Sequence, residues 1–100
     1  MAEPIACSLV PGDLNARRAE LLPGLIARAS AREVLASGYR LVFAADSETL
    51  NLIARVIDAE RQCCRFLEFQ LTVEPSGGPF TLDVTGPKGT REFLDQFAIL

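Results

Sequence analysis

Two cysteines stand side by side in this chain, and residues around them have the types that bind metals. Cys63 and Cys64 follow closely after Glu60, and the third cysteine, Cys7, lies near the start of the sequence. Thiolates select soft or borderline ions, so three thiols suit Hg(II), As(III), Cu(I) or Zn(II). Zinc usually takes a fourth ligand, which Glu60 or a water molecule would supply. We therefore favour a metal site made of Cys63, Cys64, Cys7 and Glu60.

Two other interpretations of the cysteines stay open. Free cysteine packs as a small hydrophobe, so the pair could simply fill the core of a structural or interaction module, monomeric or dimeric. A thiol-redox protein would use Cys63 or Cys64 as its nucleophile, although the chain has no CxxC spacing and no clear base other than Glu60. Glu60 could instead form an ion pair with Arg61 or Arg65. A disulfide between neighbouring cysteines is the least expected state, because disulfides are uncommon in the cytosol.

Charge and composition argue against several classes of function. The 100 residues carry a formal charge of −3 and a single lysine, so the Lys/Arg contacts that hold nucleic acid are not expected. No apolar run approaches the roughly 20 residues that span a bilayer, and the first residues lack the pattern of a signal peptide. Without histidine, Ser-His pairs, Cys-His pairs and imidazole ligands are excluded. We expect one domain, residues 1–100, located in the cytosol.

Hydrophobic periodicity predicts the elements that position the cysteine pair. Asp46 is a typical N-cap, and the apolar stripes that follow predict a largely buried helix from about Ser47 to Cys64. Leu67–Glu74 then alternates apolar and polar residues, which predicts a strand with one face toward the core. The pair therefore lies at a helix-to-strand junction, where an unwound last turn could rotate one thiol toward the other.

Two hairpins are predicted around this helix. The first covers Glu33–Phe43, with Ser37-Gly38 as its turn. The second joins Leu67–Glu74 to the alternating residues 80–85 through the loop Pro75–Pro79, which needs positive φ angles. Polar side chains of the second hairpin would line an open sheet face, and a dimer interface on that face would be weak.

The remaining segments complete an α+β domain. A helical pattern over Leu14–Ser30 is interrupted at Pro23, and a short last helix carries Phe93, Leu94 and Phe97. Pro4–Val10 is a candidate N-terminal strand. The resulting order, (β)αββαββα, predicts a two-layer sandwich in which an antiparallel sheet of about four strands, or five with the N-terminal candidate, carries helices on one face.

A longer sequence pattern surrounds the cysteine pair. It comprises Glu60-x-x-Cys63-Cys64-x-Phe66-Leu67-x-Phe69, Glu74-Pro75-x-Gly77-Gly78-Pro79 and Thr85-Gly86-Pro87-x-Gly89. In these motifs the chain resembles a family of small bacterial proteins of unknown function, with Arg65 where that family has proline. The resemblance implies thiols similar to those of heavy-metal-handling proteins. It adds support for a thiol site and names no metal.

Overall fold

The computed structural model describes residues 23–95, except for the side chain of Cys63. Residues 23–28 form the described part of helix α1. Helix α2 spans Ser47–Cys63 and helix α3 spans Thr90–Asp95. The candidate strand Pro4–Val10, the helical pattern before residue 23, Cys7 and Phe97 lie outside the described residues.

Four antiparallel strands form one sheet in the order β1-β2-β4-β3. Their bounds are Ala31–Leu35 for β1, Gly38–Phe43 for β2, Glu68–Val73 for β3 and Phe80–Thr85 for β4. The hairpins β1–β2 and β3–β4 meet where β2 pairs with β4. With helices packed on one face, the described residues confirm the predicted α+β sandwich and the order αββαββα.

The hydrophobic core lies between this sheet and the three helices. Alternate residues of β2 and β4 point inward, because successive side chains of a strand face opposite sides of the sheet. They pack against one buried side chain from α1, two from α2 and one from α3. The buried cluster consists of Leu25, Leu41, Phe43, Ile53, Val56, Phe80, Leu82, Val84 and Leu94. The alternation predicted for the second hairpin is therefore confirmed on β4.

The first hairpin turns one residue earlier than the sequence predicts. Leu35 pairs with Gly38, so Ala36 and Ser37 form the loop and Gly38 begins strand β2. A Cβ atom at position 38 would overlap the carbonyl group of Val84 on β4. The predicted turn pair Ser37-Gly38 is therefore correct for Ser37 and wrong for Gly38, which begins β2 and permits close approach of two strands.

The second hairpin loop has the predicted backbone conformation. Ser76 and Gly77 have φ angles of 60° and 74°, within a short 3₁₀ turn over Pro75–Gly77. The need for positive φ in this loop is therefore confirmed.

Helix α3 is fastened to the first hairpin by polar contacts. The Tyr39 hydroxyl donates a hydrogen bond to the carboxylate of Asp95, and Nη1 of Arg91 donates to the carbonyl of Leu35 at 3.2 Å. Within residues 23–95, no helix has the length and apolarity needed to cross a membrane.

Candidate thiol site at the end of helix α2

The start of helix α2 is fixed by its cap. The N–H of Thr49 donates to Oδ1 of Asp46 at 2.7 Å, and the Thr49 hydroxyl donates to Oδ2 at 3.0 Å. The hydrogen bond from the Thr49 N–H holds the pKa of the Asp46 carboxyl below its usual range. Arg28 of α1 donates to the Thr49 hydroxyl at 3.1 Å, which ties the two helices together. The predicted N-cap is confirmed.

The other end of the helix falls at the cysteine pair, as predicted. Cys63 is the last helical residue, and Cys64 is the C-cap with φ −113° and ψ 74°, outside the helical region. The N–H of Cys64 donates to the carbonyl of Glu60 at 2.6 Å, and the N–H of Leu67 donates to the carbonyl of Cys64 at 3.1 Å. These two bonds connect the end of helix α2 to Leu67, the residue that precedes strand β3.

Cys64 is fully buried and its sulfur belongs to a disulfide bond. The other cysteines of the chain are Cys7 and Cys63, and their side chains fall outside the described part of the molecule. This oxidised state differs from the free thiol that the sequence favoured for Cys64. A disulfide sulfur is not a thiolate, and only the thiolate is a nucleophile and a metal ligand.

Glu60 is also buried, with 2% of its surface exposed. It lies on the inner stripe of α2 with Ile53 and Val56, at positions where a helix normally buries apolar side chains. The sequence offered Arg61 as a surface partner for it, but the Arg61 guanidinium instead donates to Asp58, with Nη2 2.7 Å and Nε 3.0 Å from Oδ1. The pairing of Glu60 with Arg61 is therefore wrong. Arg65, the other basic residue beside the cysteines, is exposed.

A small cavity of about 40 Å³ lies between α2 and the sheet. It has room for roughly three water-sized groups. Its walls are mainly apolar, and they include Glu60 and Leu67, the two residues whose backbones bond to Cys64. Sequence reasoning missed this cavity, and the only signal for it was an acidic residue within an apolar helical stripe.

The predicted site residues are brought together only in part. Glu60 and Cys64 lie one helical turn apart and are both buried. The described side chains contain no group of three or more Cys, Asp and Glu arranged to hold a metal ion. Cys7 and the side chain of Cys63 lie outside the described part of the molecule, so the four-residue metal site stays a prediction.

The open face of the sheet carries a second polar cluster. Arg40 donates from Nε to Oδ1 of Asp83 at 2.7 Å and from Nη2 to Oδ2 at 3.0 Å, and Glu33 lies 3.8 Å from the guanidinium. These bonds from Arg40 hold the pKa of the Asp83 carboxyl below its usual range. Arg40 and Asp83 satisfy each other's charge and hydrogen-bonding groups across the paired strands β2 and β4. We therefore interpret this cluster as a contact that stabilises the sheet.

No protein-family model, curated protein or solved structure matches this chain. The resemblance to small bacterial proteins therefore stays a prediction.

Proposed function

We propose that this protein binds a thiophilic metal ion through Cys63 and Cys64 in their reduced state. Cys7 and Glu60 are the candidates for further ligands, and Zn(II), Cu(I), Hg(II) and As(III) are the candidate ions. The observation that carries the proposal is the burial of Glu60 and Cys64 one turn apart, at the point where the helix gives way to a strand.

The donor types support this function, because two thiolates with a carboxylate form a donor set for a soft or borderline ion. The non-helical backbone of Cys64 also frees its side chain from the roughly 100° separation of neighbours on a regular helix. The departure of Cys64 from helical backbone geometry supports the proposal that the two adjacent cysteines share one ion.

The cytosol is the compartment that we propose for this activity. Its glutathione and thioredoxin systems keep thiols reduced, so the ligands would be available there. The resemblance of the motifs between Glu60 and Gly89 to a family with shared thiols supports the same interpretation.

Native mass spectrometry of the reduced protein tests the proposal. The full chain is offered each of the four ions in turn, beside the double variant Cys63→Ser/Cys64→Ser. We expect one ion to be retained at one per chain by the wild type and lost by the double variant. Retention of no ion, or equal retention by the double variant, would overturn the proposal.

Two acidic residues of the same helix provide a matched comparison for the oxygen ligand. Glu60→Gln removes the buried carboxylate, whereas Asp58→Asn removes an exposed one that pairs with Arg61. If Glu60 is a ligand, only Glu60→Gln weakens ion retention.

A structural or interaction module, either monomeric or homodimeric, is the competing function. It predicts that the reduced wild type retains no ion, and the same spectra report whether the chain is a monomer or a dimer.

A further inference from the structure

The cavity between α2 and the sheet reaches the surface of the protein. Of its described lining residues, seven are buried and form the interior, and five are partly or fully exposed and form the rim. The rim consists of Ile26, Arg32, Tyr39, Leu67 and Phe69. A small molecule therefore has access to the interior without displacing the buried core.

The floor of the cavity is a run of mainly apolar side chains across the sheet. Tyr39, Val84 and Phe69 lie opposite one another in register on β2, β4 and β3. Leu41 and Leu82 form the neighbouring row on β2 and β4. These residues face the helices, because alternate side chains of a strand point to the same side of the sheet. Burial of a hydrocarbon group on this floor is therefore favourable.

Arg32 places a positive charge at one edge of this floor. It lies opposite Leu41 in the β1–β2 pairing, and its Cζ atom is 5.0 Å from the centre of the Tyr39 ring. The ring attracts the cation, but it does not take the place of a carboxylate as acceptor for the five N–H donors of the guanidinium. The ion pairs among residues 23–95 include no carboxylate for Arg32. An anion at this edge would therefore meet both a positive charge and N–H donors.

The other charges around the cavity also favour an anion beside Arg32. The Tyr39 hydroxyl donates a hydrogen bond to Asp95, and this bond raises the pKa of Tyr39. The positive charges of Arg32 and Arg91 act on that pKa in the opposite direction, so two cations and one carboxylate face the hydroxyl. Glu60 is acidic and lies in the α2 wall, where it disfavours an anionic group. A bound anion is therefore directed toward Arg32.

We propose that this cavity binds a small organic acid, with the carboxylate on Arg32 and the apolar tail between α2 and the sheet. A planar guanidinium matches a carboxylate with two parallel hydrogen bonds. The enclosed volume of about 40 Å³ has room for roughly three methylene-sized groups, which suits a short tail better than a long lipid chain. The inference goes beyond metal binding and does not depend on it.

The fluorescence of Tyr39 reports binding directly, because Tyr39 is the single tyrosine of the chain and the chain has no tryptophan. The full chain is titrated with butanoate, pentanoate, hexanoate and octanoate at constant ionic strength, and we expect a saturable change. Affinity should rise about fourfold with each added methylene, the factor that burial of one such group gives. The rise should stop when the enclosed volume is full.

Hexan-1-ol and hexylamine test the role of the negative charge, since they carry the same tail without a carboxylate. We expect both to bind at least about 10-fold more weakly than hexanoate, because hydrogen bonds between charged groups are the strong ones. Equal affinity for the three compounds would overturn the proposal.

Arg32→Gln tests the anion site, with Arg55→Gln as its matched control. Arg55 is an exposed arginine of α2 outside the described cavity lining, and Arg32 is also exposed, so both variants should keep the wild-type Tm. We expect Arg32→Gln to weaken hexanoate binding about 10-fold and to leave hexan-1-ol binding unchanged. Arg55→Gln should bind both compounds as the wild type does.

Methyl NMR signals of Val84 and Leu82 locate the tail, and they should shift with the same affinity that Tyr39 fluorescence reports. Unchanged hexanoate affinity in Arg32→Gln would overturn the proposal. Absence of a saturable response from both Tyr39 and the two methyl-bearing residues would overturn it as well.

Discussion

Replacing Gly38 with alanine should destabilise the domain strongly, although the change adds only one methyl group. An ideal Cβ at this position would lie 2.8 Å from the carbonyl carbon of Val84 and 2.9 Å from the Cα of Thr85. Real Cβ atoms essentially never approach other atoms that closely, and both neighbours are backbone atoms of a central strand. The clash can be relieved only if β2 and β4 move apart.

The size of the effect follows from two opposing contributions. Overpacking typically costs about 1–3 kcal/mol, and a clash with backbone belongs at the upper end of that range. Loss of glycine flexibility in the unfolded chain offsets about 0.4–1 kcal/mol. The net loss of unfolding free energy is therefore about 2 kcal/mol, which lowers Tm by roughly 8–16 °C in a domain of this size.

Denaturant and thermal unfolding of the wild type and two alanine variants measure this effect. Gly24→Ala is the matched control, because Gly24 lies in a helical segment and no atom of the described residues comes within 4 Å of its Cβ position. Alanine is favoured over glycine in helices by up to about 1 kcal/mol, so this control should be neutral or stabilising. A Gly38→Ala variant as stable as the Gly24→Ala variant would refute the reasoning.

Three further predictions concern pH and single side chains. Tyr39→Phe removes the hydrogen bond to Asp95 and should cost about 0.5–1 kcal/mol in denaturant unfolding. That bond raises the pKa of Tyr39, so its contribution to the free energy of unfolding is present below pH 10 and is lost as the pH rises through the pKa of Tyr39 in the folded protein. The wild type should lose this stability in that pH range, and the Tyr39→Phe variant should not. Arg40 lowers the pKa of Asp83, so the contribution of the Asp83 carboxylate to the free energy of unfolding is present above pH 3.8 and is lost as the pH falls through the pKa of Asp83 in the folded protein. The Asp83→Asn variant should therefore lose less stability on acidification than the wild type. Retention of the proposed ion should weaken as the pH falls, because protons compete for thiolates, and a pH-independent affinity in mass spectrometry would argue against thiolate ligands.

Local sequence signals predicted the elements around the site, whereas the state of the site depends on distant contacts. Asp46, the end of α2 and the alternation of the second hairpin could all be predicted because each depends on neighbouring residues. The burial of Glu60 could not, since it follows from the rotation of α2 that Ile53 and Val56 set by packing on the sheet. A nearby arginine made a surface ion pair equally plausible from the sequence alone.

Gly38 and Cys64 show the same limitation. The role of Gly38 depends on Val84, which reaches it only through the β2–β4 pairing. A disulfide at Cys64 depends on which sulfur lies close in space, and sequence spacing alone does not determine disulfide connectivity.

The strand order has a consequence for the speed of folding. Each hairpin closes a short loop, but the pairing of β2 with β4 joins residues such as Arg40 and Asp83, which are 43 positions apart. Closing a long loop is entropically more expensive, and topologies rich in distant contacts fold slowly. We expect the two hairpins to form early and the β2–β4 pairing to form last, when α2 packs on the sheet. A chain cut between β2 and β3 should therefore yield two hairpin fragments that associate by pairing β2 with β4.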